Sequence, residues 1–110
     1  MEPLIFEPLI KQIRWGGRKL GTVLHKPIAD ADDYAESWEI ADQPNGRSIV
    51  AGGKFAGKTL TDLLASHSTE LLGRSPDGGQ FPLLIKYLDA NDWLSLQVHP
   101  NDEQALQYNS

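Results

Sequence analysis

Two stretches late in the chain, Phe81 to Asp89 and Trp93 to His99, carry the strongest strand patterns. Apolar and polar positions alternate there, as they do where successive side chains point to opposite faces of a sheet. Asp89-Ala90-Asn91-Asp92 between them reads as a hairpin loop. Ser37 to Asp42 alternates too and predicts a further strand, closed by a turn signal at Gln43-Pro44-Asn45-Gly46. Ser48-Ile49-Val50 reads as a short strand ending at Gly52-Gly53. Near the start, Leu4, Ile5, Phe6, Leu9, Ile10 and Ile13 are apolar, but Pro3 and Pro8 oppose a regular helix. Residues 3–14 therefore read as an extended segment with room for one short helical turn. Residues 15–21 read as a glycine-punctuated loop and residues 29–36 as an acidic loop.

Helical signals are few. Thr59 with Asp62 three positions on resembles a capping box, so a helix is predicted from there. A second short turn, Ser68 to Leu72, should stop at Gly73, and residues 73–80 form a loop. Asn101 is placed to cap a last helix through Tyr108, with Gln104 at the reciprocal position. The elements add up to a mainly β chain with short helices (α+β).

The chain has 110 residues, enough for one small domain. Ten basic against fifteen acidic residues give a net charge of −5. An acidic domain without a basic stripe is a poor nucleic-acid binder, and it lacks the basic amphipathic face of a membrane-surface helix. No cysteine is present, which removes disulfides, thiolate zinc sites and cysteine nucleophiles. The start, Met1-Glu2-Pro3-Leu4, shows no signal-peptide pattern, and no apolar run approaches the ~18 residues of a membrane span. The expectation is a soluble cytoplasmic protein acting on a small molecule, with neither nucleic acid nor membrane as partner.

The hairpin carries the most specific chemistry. Along its second strand Trp93, Ser95, Gln97 and His99 share one face. A loop of two or four residues places Lys86 directly across from Ser95, on that face. Gln97 and His99 are then candidate metal ligands, an amide oxygen beside an imidazole, a set that suits zinc. Lys86 and Ser95 would offer a cation and a hydroxyl to an anionic, oxygen-rich substrate. The same pattern also fits the solvated face of an amphipathic hairpin. Two ligands are fewer than the three or four protein groups zinc normally takes.

Gly52-Gly53-Lys54-Phe55-Ala56-Gly57-Lys58-Thr59 matches the phosphate-loop pattern G-x-x-x-x-G-K-[ST]. Its preceding strand is very short, and the chain lacks room for repeated βαβ units. A glycine turn leading into a capped helix is the simpler reading. Asp30-Ala31-Asp32-Asp33-Tyr34 fails as a calcium loop, because tyrosine and alanine stand where an oxygen ligand and a glycine are needed. Arg14, Arg18 and Lys19 around Trp15 are candidate phosphate contacts or a plain surface turn. Trp38 is expected to point inward and its flanking acids Glu36 and Glu39 outward, unless the sheet's other face lines a pocket.

Phe81-Pro82-Leu83-Leu84-Ile85-Lys86 through Leu94-Ser95-Leu96-Gln97-Val98-His99-Pro100 resembles the signature of type I mannose-6-phosphate isomerases, the phosphomannose isomerases. Trp15-Gly16-Gly17-Arg18-Lys19-Leu20, Glu36-Ser37-Trp38-Glu39 and Gly57-Lys58-Thr59-Leu60 resemble further family segments in the same order. The resemblance covers nearly the whole chain and takes the Gly-Lys-Thr segment into a pattern without nucleotide binding. It implies a cupin-type β-barrel or jelly roll and a zinc-dependent aldose–ketose isomerase interconverting mannose 6-phosphate and fructose 6-phosphate. It implies metal-ligand roles for Gln97 and His99, and substrate-site positions for Lys86, Ser95, Trp15 and Glu36.

The family's remaining ligands, a glutamate and a second histidine, and its catalytic arginine are implied to lie beyond residue 110. Residues 1–110 are thus expected to be the N-terminal portion of a catalytic domain. Alone, the chain should bind zinc weakly and fail to isomerise, with the rest of the same enzyme as its partner. The rival readings are a stand-alone small cupin-like module that binds sugar or metal and, more remotely, a phosphate-loop nucleotide binder.

Overall fold

The computed structural model describes residues 2–73 and 81–94. The elements are β1 (Leu9–Gly17), α1 (Lys19–Thr22), β2 (Tyr34–Ile40), β3 (Asp42–Gln43), β4 (Gly46–Arg47), α2 (Leu60–Leu72) and β5 (Ile85–Leu88). Strands β1, β2 and β5 form an antiparallel three-stranded sheet with β2 at its centre, and β3 and β4 form a separate hairpin. Both faces of β2 are covered, so Tyr34 through Trp38 is buried without a break. The expected turn is present: Gln43 pairs with Gly46, leaving Pro44 and Asn45 as a two-residue loop.

Ser48 fastens that hairpin to β2. Its hydroxyl accepts from Ala41 N–H at 2.8 Å, and its own N–H donates to Ala41 O at 2.9 Å. The short strand expected at Ser48–Val50 takes the form of two isolated bridges, Phe6 with Val50 and Ile49 with Thr59. These bridges bring the N-terminal segment and α2 together over an apolar cluster of Val50, Phe55 and Leu63, with Leu4, Phe6 and Leu71 packed around it.

Helix α2 begins as predicted. Thr59 accepts from Asp62 N–H, and the Asp62 side chain accepts from Thr59 N–H, a complete capping box. The two helical turns expected from the sequence are one element with a break at His67, whose φ/ψ of −133/31 is not helical. There the His67 ring meets Phe55 edge-on at 5.0 Å, and its Nδ1 lies 2.7 Å from Ser66 Oγ. Gly73 ends the helix at φ 73, a left-handed conformation that glycine adopts without strain.

Several expectations are corrected. The loop assigned to residues 15–21 is instead the end of β1, which runs to Gly17, followed by α1. The acidic loop stops at Asp33, because Tyr34 already belongs to β2. Of the strand expected over Phe81–Asp89 only Ile85–Leu88 forms. Pro82 has no N–H to give to a ladder, and Phe81 N–H donates to Asp42 Oδ2 at 3.0 Å instead. Trp93 and Leu94 lie outside any strand and are exposed. Ser95, Gln97, His99, the Lys86–Ser95 register and the helix expected from Asn101 to Tyr108 lie outside the described residues. Among the described residues no helix is long and apolar enough to cross a membrane.

Candidate functional site

The sheet gathers charge on one face. Lys11 of β1 lies opposite Glu36, and Trp38 lies opposite Lys86 of β5. Residues two apart on a strand share a face, so Lys11, Glu36, Trp38 and Lys86 meet across three strands. Glu36 Oε1 accepts two hydrogen bonds, from Trp38 Nε1 at 2.9 Å and from Lys86 Nζ at 2.9 Å. Lys11 Nζ sits 4.4 Å from the centroid of the Trp38 ring, a cation–π distance, and donates to Asn45 O at 3.0 Å.

Glu36 is thus buried, and the expected outward position is wrong for it. Only Glu39 lies on the opposite face, where it pairs with Lys26 at 2.6 Å and accepts from Ser37 Oγ. Burial is the largest single influence on the Glu36 carboxyl and pushes its pKa up. The hydrogen bonds from Lys86 and Trp38, with the charges of Lys86 and Lys11, together outweigh it and hold the pKa below its ordinary value. An ionised carboxylate therefore anchors an ammonium on this face. About a third of the Lys86 side chain remains exposed, 34%.

Trp15 occupies a different place from this cluster. Gln12 and Gly17 both pair with Tyr34, so residues 13–16 bulge out of the ladder. Bulges re-aim side chains at the rims of sheets. The Trp15 carbonyl accepts from Asn91 N–H at 2.8 Å, which ties the bulge to the segment after β5. Beside it, Asp89 is buried, and its Oδ2 accepts from Lys19 N–H at 2.7 Å.

Of the residues read as candidates from sequence, the structure joins Glu36 to Lys86 directly and puts Trp15 on the neighbouring bulge. Lys11 and Trp38 join this face in addition to those candidates. The period-two spacing of Glu36 and Trp38 was the available signal, whereas Lys11 depends on a non-local register. Arg18 donates to the carbonyls of Ala29 and Ala31, so its guanidinium staples a loop. Four amides of the glycine loop have partners in the fold: Gly57 N–H donates to Val50 O, Ala56 to Gly53 O, Lys58 to Phe55 O and Lys54 to Glu2 Oε1. Thr59 is engaged in its cap. That arrangement supports a turn leading into a helix and takes the Gly57, Lys58 and Thr59 amides, which a phosphate loop would need, into the fold. Among the described residues no three His, Cys, Asp or Glu side chains are grouped to hold a metal ion.

Residues 4–109 match the family model described as phosphomannose isomerase type I, catalytic domain. The chain belongs to that family. It is 42% identical over 107 residues to the mannose-6-phosphate isomerase of Streptococcus mutans, covering 97% of this chain and 33% of that protein. It is 42% identical over 104 residues to mannose-6-phosphate isomerase ManA of Bacillus subtilis, covering 94% and 32%. The crystal structure of the Bacillus subtilis mannose 6-phosphate isomerase superposes with a TM-score of 0.88 at 36% identity, covering 99% of this chain and 34% of that one. The mainly β fold with short helices is thereby established. The chain spans about a third of the length of the relatives it matches.

Proposed function

We propose that this chain is the N-terminal third of a cupin-type, zinc-dependent mannose-6-phosphate isomerase that interconverts mannose 6-phosphate and fructose 6-phosphate in the cytoplasm. The observation that carries the reading is the Glu36–Lys86 pair, which holds a partly exposed lysine at a position where the family resemblance puts the substrate.

Aldose–ketose isomerisation moves a proton between C1 and C2 of the sugar through an enediol. Lys86 would bind an anionic oxygen of the sugar phosphate, and its ion pair with Glu36 holds the ammonium in place. By the family resemblance Ser95 would add a hydroxyl, and Trp15 and Glu36 would contribute to the substrate site. Gln97 and His99 supply an amide oxygen and an imidazole, a donor set that suits zinc but fills only part of its usual shell. The remaining ligands belong to the rest of the enzyme in this reading. Zinc, when bound, polarises sugar oxygens as a Lewis acid.

The test is a coupled isomerase assay on the chain joined to the downstream part found in its relatives, together with its metal content. Turnover of mannose 6-phosphate with bound zinc is expected, and Q97A/H99A should lose both. Full activity in that double variant would refute the ligand assignment. Tight one-to-one zinc binding by residues 1–110 alone would favour a self-contained module instead.

A further inference from the structure

Lysine carries a long, flexible stem, so an ammonium useful for binding gains from being ordered before the ligand arrives. Lys86 enters from β5 and is anchored by one oxygen, Glu36 Oε1. That same oxygen takes the Trp38 indole N–H. Trp38 is itself clamped. Lys11 Nζ stands 4.4 Å from its ring centroid, and Gly46 approaches so closely that a Cβ there would lie 2.9 Å from Trp38 Cζ3. The ring is buried on the central strand. Its N–H has a carboxylate as partner rather than a backbone carbonyl.

We propose that Trp38 is a positioning residue of the sugar-phosphate site: its indole N–H fixes the Glu36 carboxylate in the orientation that anchors the Lys86 ammonium on the ligand face. The proposal rests on the isomerase reading for its ligand, and on geometry alone for the relay from Trp38 through Glu36 to Lys86. Trp38 touches no substrate in this scheme. Its effect passes through Glu36, and Lys11 acts one step further back by holding the ring.

The experiment uses the full-length enzyme with 3-benzothienylalanine placed at position 38, which keeps the shape of tryptophan and replaces the N–H by sulfur. A hydrogen bond to a charged group is strong enough that KM for mannose 6-phosphate should rise about fivefold to tenfold. The value of kcat should stay within about twofold. The Lys86 ammonium ¹⁵N signal, assigned by its disappearance in Lys86→Arg, should be lost. Placing 7-azatryptophan at position 38, which retains the N–H, should restore both readouts. Trp38→Phe is a second variant expected to behave like the sulfur analogue. If it fails to fold, the isosteric analogue decides. An unchanged KM with an intact Lys86 signal overturns the proposal. If the unmodified enzyme does not turn over mannose 6-phosphate, the isomerase reading fails. The Lys86 signal then decides the relay: its loss in the sulfur analogue supports the relay and its retention overturns it.

Discussion

Glu36 and Lys86 stand diagonally across the β2–β5 pair and meet at 2.9 Å through a single carboxylate oxygen. Diagonal neighbours on paired strands are within reach of long side chains. Here the contact places a buried acid beside a half-buried base. An acid under an apolar sheet would normally be neutralised by burial. The two lysines from the outer strands, Lys11 and Lys86, together with the Trp38 N–H, keep it ionised.

The pH dependence follows from that sign. The Glu36 pKa is depressed on folding, so its stabilisation is complete above the ordinary glutamate value of about 4.3 and is lost as pH falls through the lower folded value. Glu36→Gln removes the titration and the charged partner of Lys86. At neutral pH it should cost about 1.5–3 kcal/mol, the range for a hydrogen bond to a charged group. Urea unfolding of the full-length protein between neutral pH and about pH 3 checks this. The difference between wild type and variant should shrink on the acid side. A difference that stays constant across the range would contradict the assignment.

What could be read from the sequence was mostly local. The Thr59–Asp62 box, the Pro44-Asn45 turn and the Gly73 stop each act within a few residues, and each appears where expected. The misses involve distant partners. The expectation of an outward Glu36 treats both acids that flank Trp38 alike, yet a spacing of two puts Glu36 on the Trp38 face and only Glu39 on the other. Only the register of β1 and β5 shows that lysines meet Glu36 there. The bulge at residues 13–16 and the four-residue α1 leave no periodic trace, since a glycine-rich run looks like a loop whether or not it is paired. For the candidate site, Lys86 and Glu36 were legible as residues, but the bond between them was not. Gln97 and His99 lie outside the described residues.

Gly16 marks a close approach of β1 to β2. A Cβ at this position would lie 2.5 Å from both Ala35 N and Tyr34 C, backbone atoms that cannot swing away. Gly16→Ala should therefore push the strands apart beside Trp15. Overpacking of this kind costs about 1–3 kcal/mol. The thermal midpoint should fall, and in the full-length enzyme KM should rise as the bulge shifts. Gly52→Ala is the control, since nothing lies within 4 Å of its added Cβ. Equal effects at both positions would refute the close-approach argument.

Thr59 anchors α2 through its side chain and, through the Ile49 bridge, sits against the segment that carries Val50 into the apolar cluster. Thr59→Ala removes the acceptor for Asp62 N–H and should cost about 0.5–2 kcal/mol. Thr59→Ser keeps the oxygen and should recover most of that loss. Denaturant midpoints of the two variants check the order. If Ser is as damaging as Ala, the cap is not the cause and the lost methyl packing is.

Asp42 links pieces that are distant in sequence. It is buried, its Oδ1 accepts from the Thr61 hydroxyl of α2, and its Oδ2 accepts from Phe81 N–H at 3.0 Å. Arg47 Nε lies 3.6 Å from Oδ1, with half of the arginine side chain exposed. Asp42→Ala would leave the Thr61 and Phe81 donors unmet, at about 2–6 kcal/mol for two such groups. Arg47 adds little, because water can solvate it once the acid is gone. Asp42→Asn keeps one acceptor oxygen and sets an amide N–H₂ against the other donor, so its cost should fall between wild type and alanine. Amide hydrogen exchange at Phe81 separates this role from a general loss of stability. Phe81 should lose protection in Asp42→Ala at denaturant concentrations where the Leu63 amide keeps it. Retained protection at Phe81 would mean that the chain before β5 is held by its apolar neighbours and not by the carboxylate.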